Sequence, residues 1–200
     1  LLGKPEQELY RSNTMRASYL SQDRPDISDA VKSLARDMKQ PNEASLLRLK
    51  RMGKYLKGRP TVKRVFREQK IPDKIRVHVD SDHAGCALTR KSTTGMVTRL
   101  GQHVTKHSAN LQTTIGLSSG ESEYYALVKG AAAGLGTQSL MQDWGMIFAV
   151  EVHSDSSAAR GHVKRRGLGK MRHIQTRYLW VQERVGEGHI KICTVAGTKN

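Results

Sequence analysis

The sequence predicts an α/β fold: a mixed sheet flanked by helices and preceded by a small helical segment. Two observations predict it. Apolar residues recur at helical spacing in the first third of the chain, and from Ile75 the period changes to two. Beyond Ile75 the elements read as three strands, a helix, a strand, helices and a last strand. That order suits helices packed on a mixed sheet.

Residues 1–74 read as helical. Arg24-Pro25-Asp26 starts one helix, with proline near the first turn, where its missing N–H costs little. Ile27, Val31, Leu34, Ala35 and Met38 follow at helical spacing, and Pro41 breaks the pattern. A second helix is expected over 43–57, with Leu46, Leu49, Gly53 and Leu56 as its inner stripe. Arg48, Lys50, Arg51, Lys54 and Lys57 supply much of the rest, and Gly58-Arg59-Pro60 ends it. Such a face is either simply solvated or a track for nucleic-acid phosphates, which needs point charges and no particular sequence.

Ile75, Val77 and Val79 alternate with Arg76, His78 and Asp80, a strand pattern. Further strands are expected at 95–100 and 102–107. A helix is expected to start after Ser118-Ser119-Gly120 and to run over 121–133 or beyond, weakened in its second half by Gly130, Gly134 and Gly136. A strand at 149–154 and a short helix after Asp155 follow. A longer helix is expected at 172–185, where Ile174, Tyr178, Val181 and Val185 recur, and a last strand at 190–195. The polar stretch 67–74, with Pro72, is the plausible boundary, giving domains at 1–74 and 75–200.

Charge narrows the function. Lys and Arg total 34 against 18 Asp and Glu, a formal net charge of +16, which attracts polyanions, nucleic acid foremost. Hydrophobic residues make up 37% and aromatics 5%, so aliphatic side chains must fill most of the core. The two cysteines, Cys86 and Cys193, lie far apart without CxxC spacing, which fits a reducing intracellular compartment. No apolar run is long enough to span a membrane, and no membrane partner is expected.

Within residues 75–200 nine acidic residues face sixteen basic ones, and five of the nine fall in three short segments. Asp80 and Asp82 sit at the end of the first strand, Glu121 and Glu123 open a helix, and Asp155 ends a later strand. Taken singly, each reads as a turn residue or a helix-start charge. Acids at strand ends and a helix start can also converge at one edge of a sheet. A carboxylate cluster repels itself unless a cation sits in it, and hard oxygen ligands suit Mg²⁺ or Mn²⁺. Two such ions hydrolyse phosphodiesters in line.

Longer segments carry a resemblance. "VDSDHAGCALTRKSTTG", "LSSGESEYYAL", "HSDSSAA" and "KMRHIQTRYLWVQERVGEGHIKI" resemble, in order and spacing, the ribonuclease H region of copia-type LTR retrotransposon polyproteins. "RPDISDAV" and "LLRLKRMGKYLKGRP" resemble the connection that follows the reverse transcriptase in the same elements. The resemblance implies a ribonuclease H-like mixed sheet over 75–200, truncated at its C-terminus, and a reverse transcriptase tail over 1–74. It implies hydrolysis of the RNA strand of an RNA/DNA hybrid, with two Mg²⁺ or Mn²⁺ ions as cofactor. The matched catalytic, metal-holding acids are Asp80, Glu123 and Asp155; Glu121 matches less well, and Asp82 takes a supporting role. Arg90, Lys91 and Ser92 are expected to shape a turn or touch phosphate. Arg172, His173 and Lys54 are expected as further nucleic-acid contacts, His173 being either near the scissile phosphate or structural, and Ser118 and Ser119 are expected to cap the helix. The implied partners are the hybrid and the rest of the Pol polyprotein, in a cytoplasmic virus-like particle or the nucleus; oligomeric state is left open.

Two departures stand out. His83 occupies a place where the family carries Trp, which loses apolar volume but no ligand. A fourth Asp is expected shortly after a segment like "TVAGTKN", and the sequence ends at Asn200 before it. The competing expectation is therefore a catalytically decayed module of the same fold that grips nucleic acid with its charge. The glycines of the central helix point the same way, toward a relaxed or divergent lineage.

Overall fold

The computed structural model describes residues 2–86, 88–169 and 171–195. The chain packs as two compact units, Leu1–Phe66 and Arg67–Asn200.

The first unit holds α1 (Lys4–Leu20), a 3-10 turn at Pro25–Ile27, α2 (Ser28–Arg36) and α3 (Glu43–Gly58). Its core is small: Tyr10, Ala17, Ile27, Val31, Leu34 and Met52. Tyr10 is fully buried, and its hydroxyl donates to the Leu34 carbonyl at 2.7 Å, so the phenol leaves no buried polar atom unpaired. The inner stripe of α3 is rotated from the predicted one. Ser45 and Met52 are buried, Leu49 and Leu56 half-buried, and Gly53 exposed. Ser45 turns inward because its hydroxyl donates to Asp37 at 2.8 Å and its N–H donates to the capping Asn42 at 2.9 Å. That anchors the helix one position away from the leucine-based reading.

Helix α3 stops where Gly58-Arg59-Pro60 is expected to end it, and residues 59–73 run without helix or strand. Pro60 and Pro72 each remove a backbone donor. The later part lies along the β2–β3 turn of the second unit. Gln69 donates to the Leu100 carbonyl at 3.0 Å and accepts from the Gln102 N–H at 2.8 Å, and the Arg67 carbonyl lies 2.7 Å from His103 Nε2.

In the second unit β1 (Lys74–Ser81), β2 (Thr93–Leu100) and β3 (His103–Leu111) form an antiparallel meander. Helix α4 (Ser119–Asp143) then crosses over, and β4 (Ala149–Ser154) returns parallel to β1. After α5 (Ser157–Val163) and α6 (Trp180–Gly186), β5 (Ile190–Thr194) adds parallel to β4. The sheet order is β3-β2-β1-β4-β5. This is the predicted mixed sheet flanked by helices, with strands β2 and β3 longer than their alternation suggested. The predicted helix 172–185 is shorter. Gln175 is extended (φ −65°, ψ 136°), and a 3-10 turn at Thr176–Tyr178 precedes α6. The apolar spacing there survives because successive turns face one core, not because one helix carries it.

Ile75, Val77 and Val79 of β1 and Val150 and Val152 of β4 face α4, and Ile190 and Ile192 of β5 join the same core on the side of α6; Tyr124, Leu127 and Ala131 of α4 complete it. The α4 glycines have a physical reason. A Cβ on Gly134 would fall 2.6 Å from Val150 Cγ1, and one on Gly130 would overlap Val79. Their absence lets helix and sheet approach closely. The cost of two glycines in a helix of 25 residues is met by that packing, so α4 continues well past the expected weak point.

Gly136 faces open space. Gly130→Ala is therefore expected to lose about 1–3 kcal/mol through overpacking, and Gly136→Ala to gain about 0.5–1 kcal/mol of helix stability. Urea denaturation of the two variants against the parent checks this; shifts of the same sign would contradict the packing role. In the exposed stretch between the units, trypsin is expected to cut first after Lys63 or Arg64. Mass spectrometry of the early fragments reads that out, and first cuts within α4 would count against it.

Candidate active site

Three elements deliver three carboxylates. Asp80 lies near the end of β1, and Asp155 follows the last residue of β4. The parallel register sets His78 opposite His153, so two residues on the two acids lie side by side. Asp155 is fixed between β4, whose Ser154 carbonyl accepts from Arg160 at 2.6 Å, and the cap of α5, where Ser156 Oγ accepts from Ala159 N–H. Glu123 comes from the start of α4. Ser118 caps that helix, its Oγ accepting from the Glu121 N–H at 3.2 Å.

The three side chains bring one oxygen each to within 4.8 Å of one another; Asp80 is exposed, Asp155 half-buried and Glu123 buried. Glu123 Oε1 accepts from the Ser81 N–H at 3.2 Å. Its Oε2 is buried and has no hydrogen-bond partner among the described residues. Burial, helped by the charges of Asp80 and Asp155 and opposed by the Ser81 N–H, pushes the Glu123 carboxyl up to about 7. An unpaired buried carboxylate oxygen among two more carboxylates is what a hard divalent cation satisfies, so the donor set fits Mg²⁺ or Mn²⁺.

Glu121, two residues away, is spent differently. It is 1% exposed. It accepts from the Tyr125 hydroxyl at 2.7 Å and the Leu117 N–H at 2.9 Å, and its Oε2 lies 2.8 Å from His173 Nε2. Burial raises its pKa, but the bonds from Tyr125, His173 and Leu117 outweigh that and hold it below the ordinary value. Glu121 is thus a structural acid. His173, exposed on its other side, ties its segment to α4 through this contact.

The turn after β1 is built around Asp82 and two serines. Asp82 accepts from the Thr93 N–H and donates its own N–H to the Thr93 carbonyl at 3.2 Å, closing the turn's base. A Cβ on Gly85 would overlap the Asp82 carboxylate, which explains the glycine. Ser92, expected as a turn or phosphate residue, is fully buried, so the phosphate role is corrected. Its Oγ accepts from the Ala84 N–H at 3.0 Å and pairs with Ser122 Oγ at 2.9 Å. His83 Nδ1 reaches the same Ser122 hydroxyl at 3.3 Å. Arg90 is exposed in the left-handed region (φ 55°), and Lys91 is half-buried beside it. Arg172 is exposed, as is Lys54 on α3 of the first unit.

The sequence reading missed Ser122, Gln112 and the tyrosines around Glu121. Gln112 is buried and donates to the Ser122 carbonyl at 2.9 Å and to Thr94 Oγ1 at 3.0 Å. Tyr124 donates to the Tyr178 carbonyl at 2.8 Å. Ser122 stands between the two glutamates of its motif, the one available signal.

No protein-family model matches the chain. It is 39% identical over 132 residues to the uncharacterized mitochondrial protein AtMg00810 of Arabidopsis thaliana, covering 64% of this chain and 53% of that protein. It is 28% identical over 194 residues to the retrovirus-related Pol polyprotein from transposon RE1 of the same plant, covering 94% of this chain. The chain is a homologue of transposon Pol polyproteins. It spans about half the length of the first relative and 13% of the RE1 polyprotein. Among solved structures, LC11-RNase H1, isolated from compost by a metagenomic approach, aligns at 14% identity and a TM-score of 0.44. That alignment covers 63% of this Pol homologue and 86% of the other chain.

The raised Glu123 carboxyl has a consequence for stability. Its folded pKa of about 7 lies above the ordinary 4.5, so the folded chain holds the extra proton between those values. The metal-free chain therefore loses stability as pH rises through that window, by about 3 kcal/mol once Glu123 is ionised. Glu123→Gln is expected to match the parent near about pH 4.5 and to exceed it by that amount above about pH 8 in EDTA. Urea unfolding of both proteins checks this, and the difference between them cancels the histidines. A pH-independent difference would contradict it.

Proposed function

We propose that this Pol homologue is the ribonuclease H of a retrotransposon polyprotein, cleaving the RNA strand of RNA/DNA hybrids during reverse transcription. The observation that carries the reading is the Asp80, Glu123 and Asp155 trio, with the buried, unpaired Glu123 Oε2 at its centre. The homology to Pol polyproteins supports it.

In this reading the three acids are ligands and not proton donors. Glu123 must give up its proton to solvent before it can hold a cation, and the Ser81 N–H keeps its other oxygen in place. Two Mg²⁺ or Mn²⁺ ions held there would supply Lewis acidity at the scissile phosphate and an activated water. Arg90, Lys91 and Arg172 offer positive charge to the hybrid's phosphates. Residues 1–74 are read as the reverse transcriptase connection, and the exposed Lys50, Arg51, Lys54 and Lys57 of α3 as its own phosphate-binding face. Recognition of the hybrid rests on groove shape and 2′-hydroxyls, not on base sequence.

The test is a labelled RNA/DNA hybrid with the chain in Mg²⁺ and in Mn²⁺, beside Asp80→Asn. The expected result is cleavage of RNA in the hybrid alone, lowered at least about 100-fold in the variant, which is ~3 kcal/mol of transition-state stabilisation. Equal cleavage of single-stranded RNA, or cleavage unchanged in the variant, would overturn the reading. Salt-sensitive binding without cleavage would replace it with a nucleic-acid-binding module.

A further inference from the structure

The sheet face turned away from α4 carries two cross-strand rows over β1, β4 and β5. One is Arg76, Glu151 and Lys191; the other is His78, His153 and Cys193. The second row consists of imidazoles and a thiol, the donors that soft and borderline metals prefer. Glu151 stands two residues before His153 on the same face of β4. Glu151, His153 and Cys193 each bring one ligand atom to within 4.8 Å of the others.

We propose that Glu151, His153 and Cys193 form a second metal site, which takes Zn²⁺ or a similar divalent transition metal and not Mg²⁺. The site is separate from the carboxylate trio, and it stands whether or not the chain is a nuclease. Three observations carry it. His153 Nε2 is buried and has no hydrogen-bond partner among the described residues, and it lies 3.5 Å from Glu151 Oε2. The His78 ring stacks on that of His153, with centroids 4.7 Å apart and planes 17° from parallel, which holds the imidazole in its plane. The Glu151 side chain is 8% exposed, and its other neighbours, Lys74, Arg76 and Lys191, stand off at 3.3, 3.6 and 3.9 Å. Those distances exceed the 2.7–2.9 Å or so of a tight charge-assisted bond.

Tetrahedral Zn²⁺ with bonds of about 2.0–2.3 Å holds its ligand atoms roughly 3.3–3.8 Å apart. The three donors therefore close by about 1 Å or slightly more, within the reach of side-chain rotation. On binding, the Cys193 thiol releases its proton to solvent. One thiolate and one carboxylate then neutralise the ion's two charges, and Lys74, Arg76 and Lys191 turn to water. Three protein ligands leave the fourth position to water. The metal joins edge strand β5 to β4.

Co²⁺ titration of the whole chain in excess Mg²⁺ tests this, because Co²⁺ reports thiolate ligation by its charge-transfer band. One equivalent is expected to give that band, and Zn²⁺ to displace it. Cys86→Ser should keep the band and Cys193→Ser lose it. His153→Asn and Glu151→Gln should each weaken binding at least about tenfold. Circular dichroism confirms that each variant is folded, and two independent ligand variants guard against one failing to fold. No thiolate band with the folded parent, a band that survives Cys193→Ser, or unchanged affinity in both His153→Asn and Glu151→Gln would overturn the proposal.

Discussion

The close approach of α4 to the sheet is the constraint on which the rest of the second unit depends. Gly130 and Gly134 let the helix backbone settle onto Val79 and Val150, on the strands whose ends carry Asp80 and lead into Asp155. A helix seated at that distance carries Glu123 down to the strand ends and buries it there. Larger residues at those two positions would raise the helix and separate the third acid from the other two. The interior of the helix thus sets, through backbone proximity, how deep the acid near its start is held.

The two glutamates of α4 show how placement assigns different chemistry to one residue type. Glu121 and Glu123 are both buried and two positions apart. Glu121 has three hydrogen-bond partners that prefer it charged. Glu123 has one such donor and two like charges. The first is settled as an ion that fixes Tyr125 and His173. The second is held in a state that a cation or a proton relieves.

Much of the architecture is legible in the residues. Alternation in Ile75–Val79 announces the central strand, and small polar residues before Glu121 announce a capped helix. The carboxylates that the structure brings together lie in the three segments that the motifs single out. What stayed hidden depends on contacts between distant segments. Gly53 and Met52 exchange places because Ser45 finds Asp37, which no local pattern encodes. Ser92 looks like a surface residue among Arg90 and Lys91 until Ser122 supplies its partner. The extended backbone at Gln175 interrupts a run whose apolar spacing is faultless. The α4 glycines read as weakness because propensity counts the helix alone and not the valines beneath it.

The clamp between Asp82 and Thr93 bears on how this region tolerates change. Both backbone directions and one side chain close the neck of the β1–β2 connection immediately after Asp80. Most of what lies beyond the neck, including the exposed Leu88 and Arg90, hangs from a closed ring. Chain inserted or deleted near its tip would lengthen or shorten the ring without shifting β1. The reach and charge of the loop can thereby change while the strand-end carboxylate stays where it is.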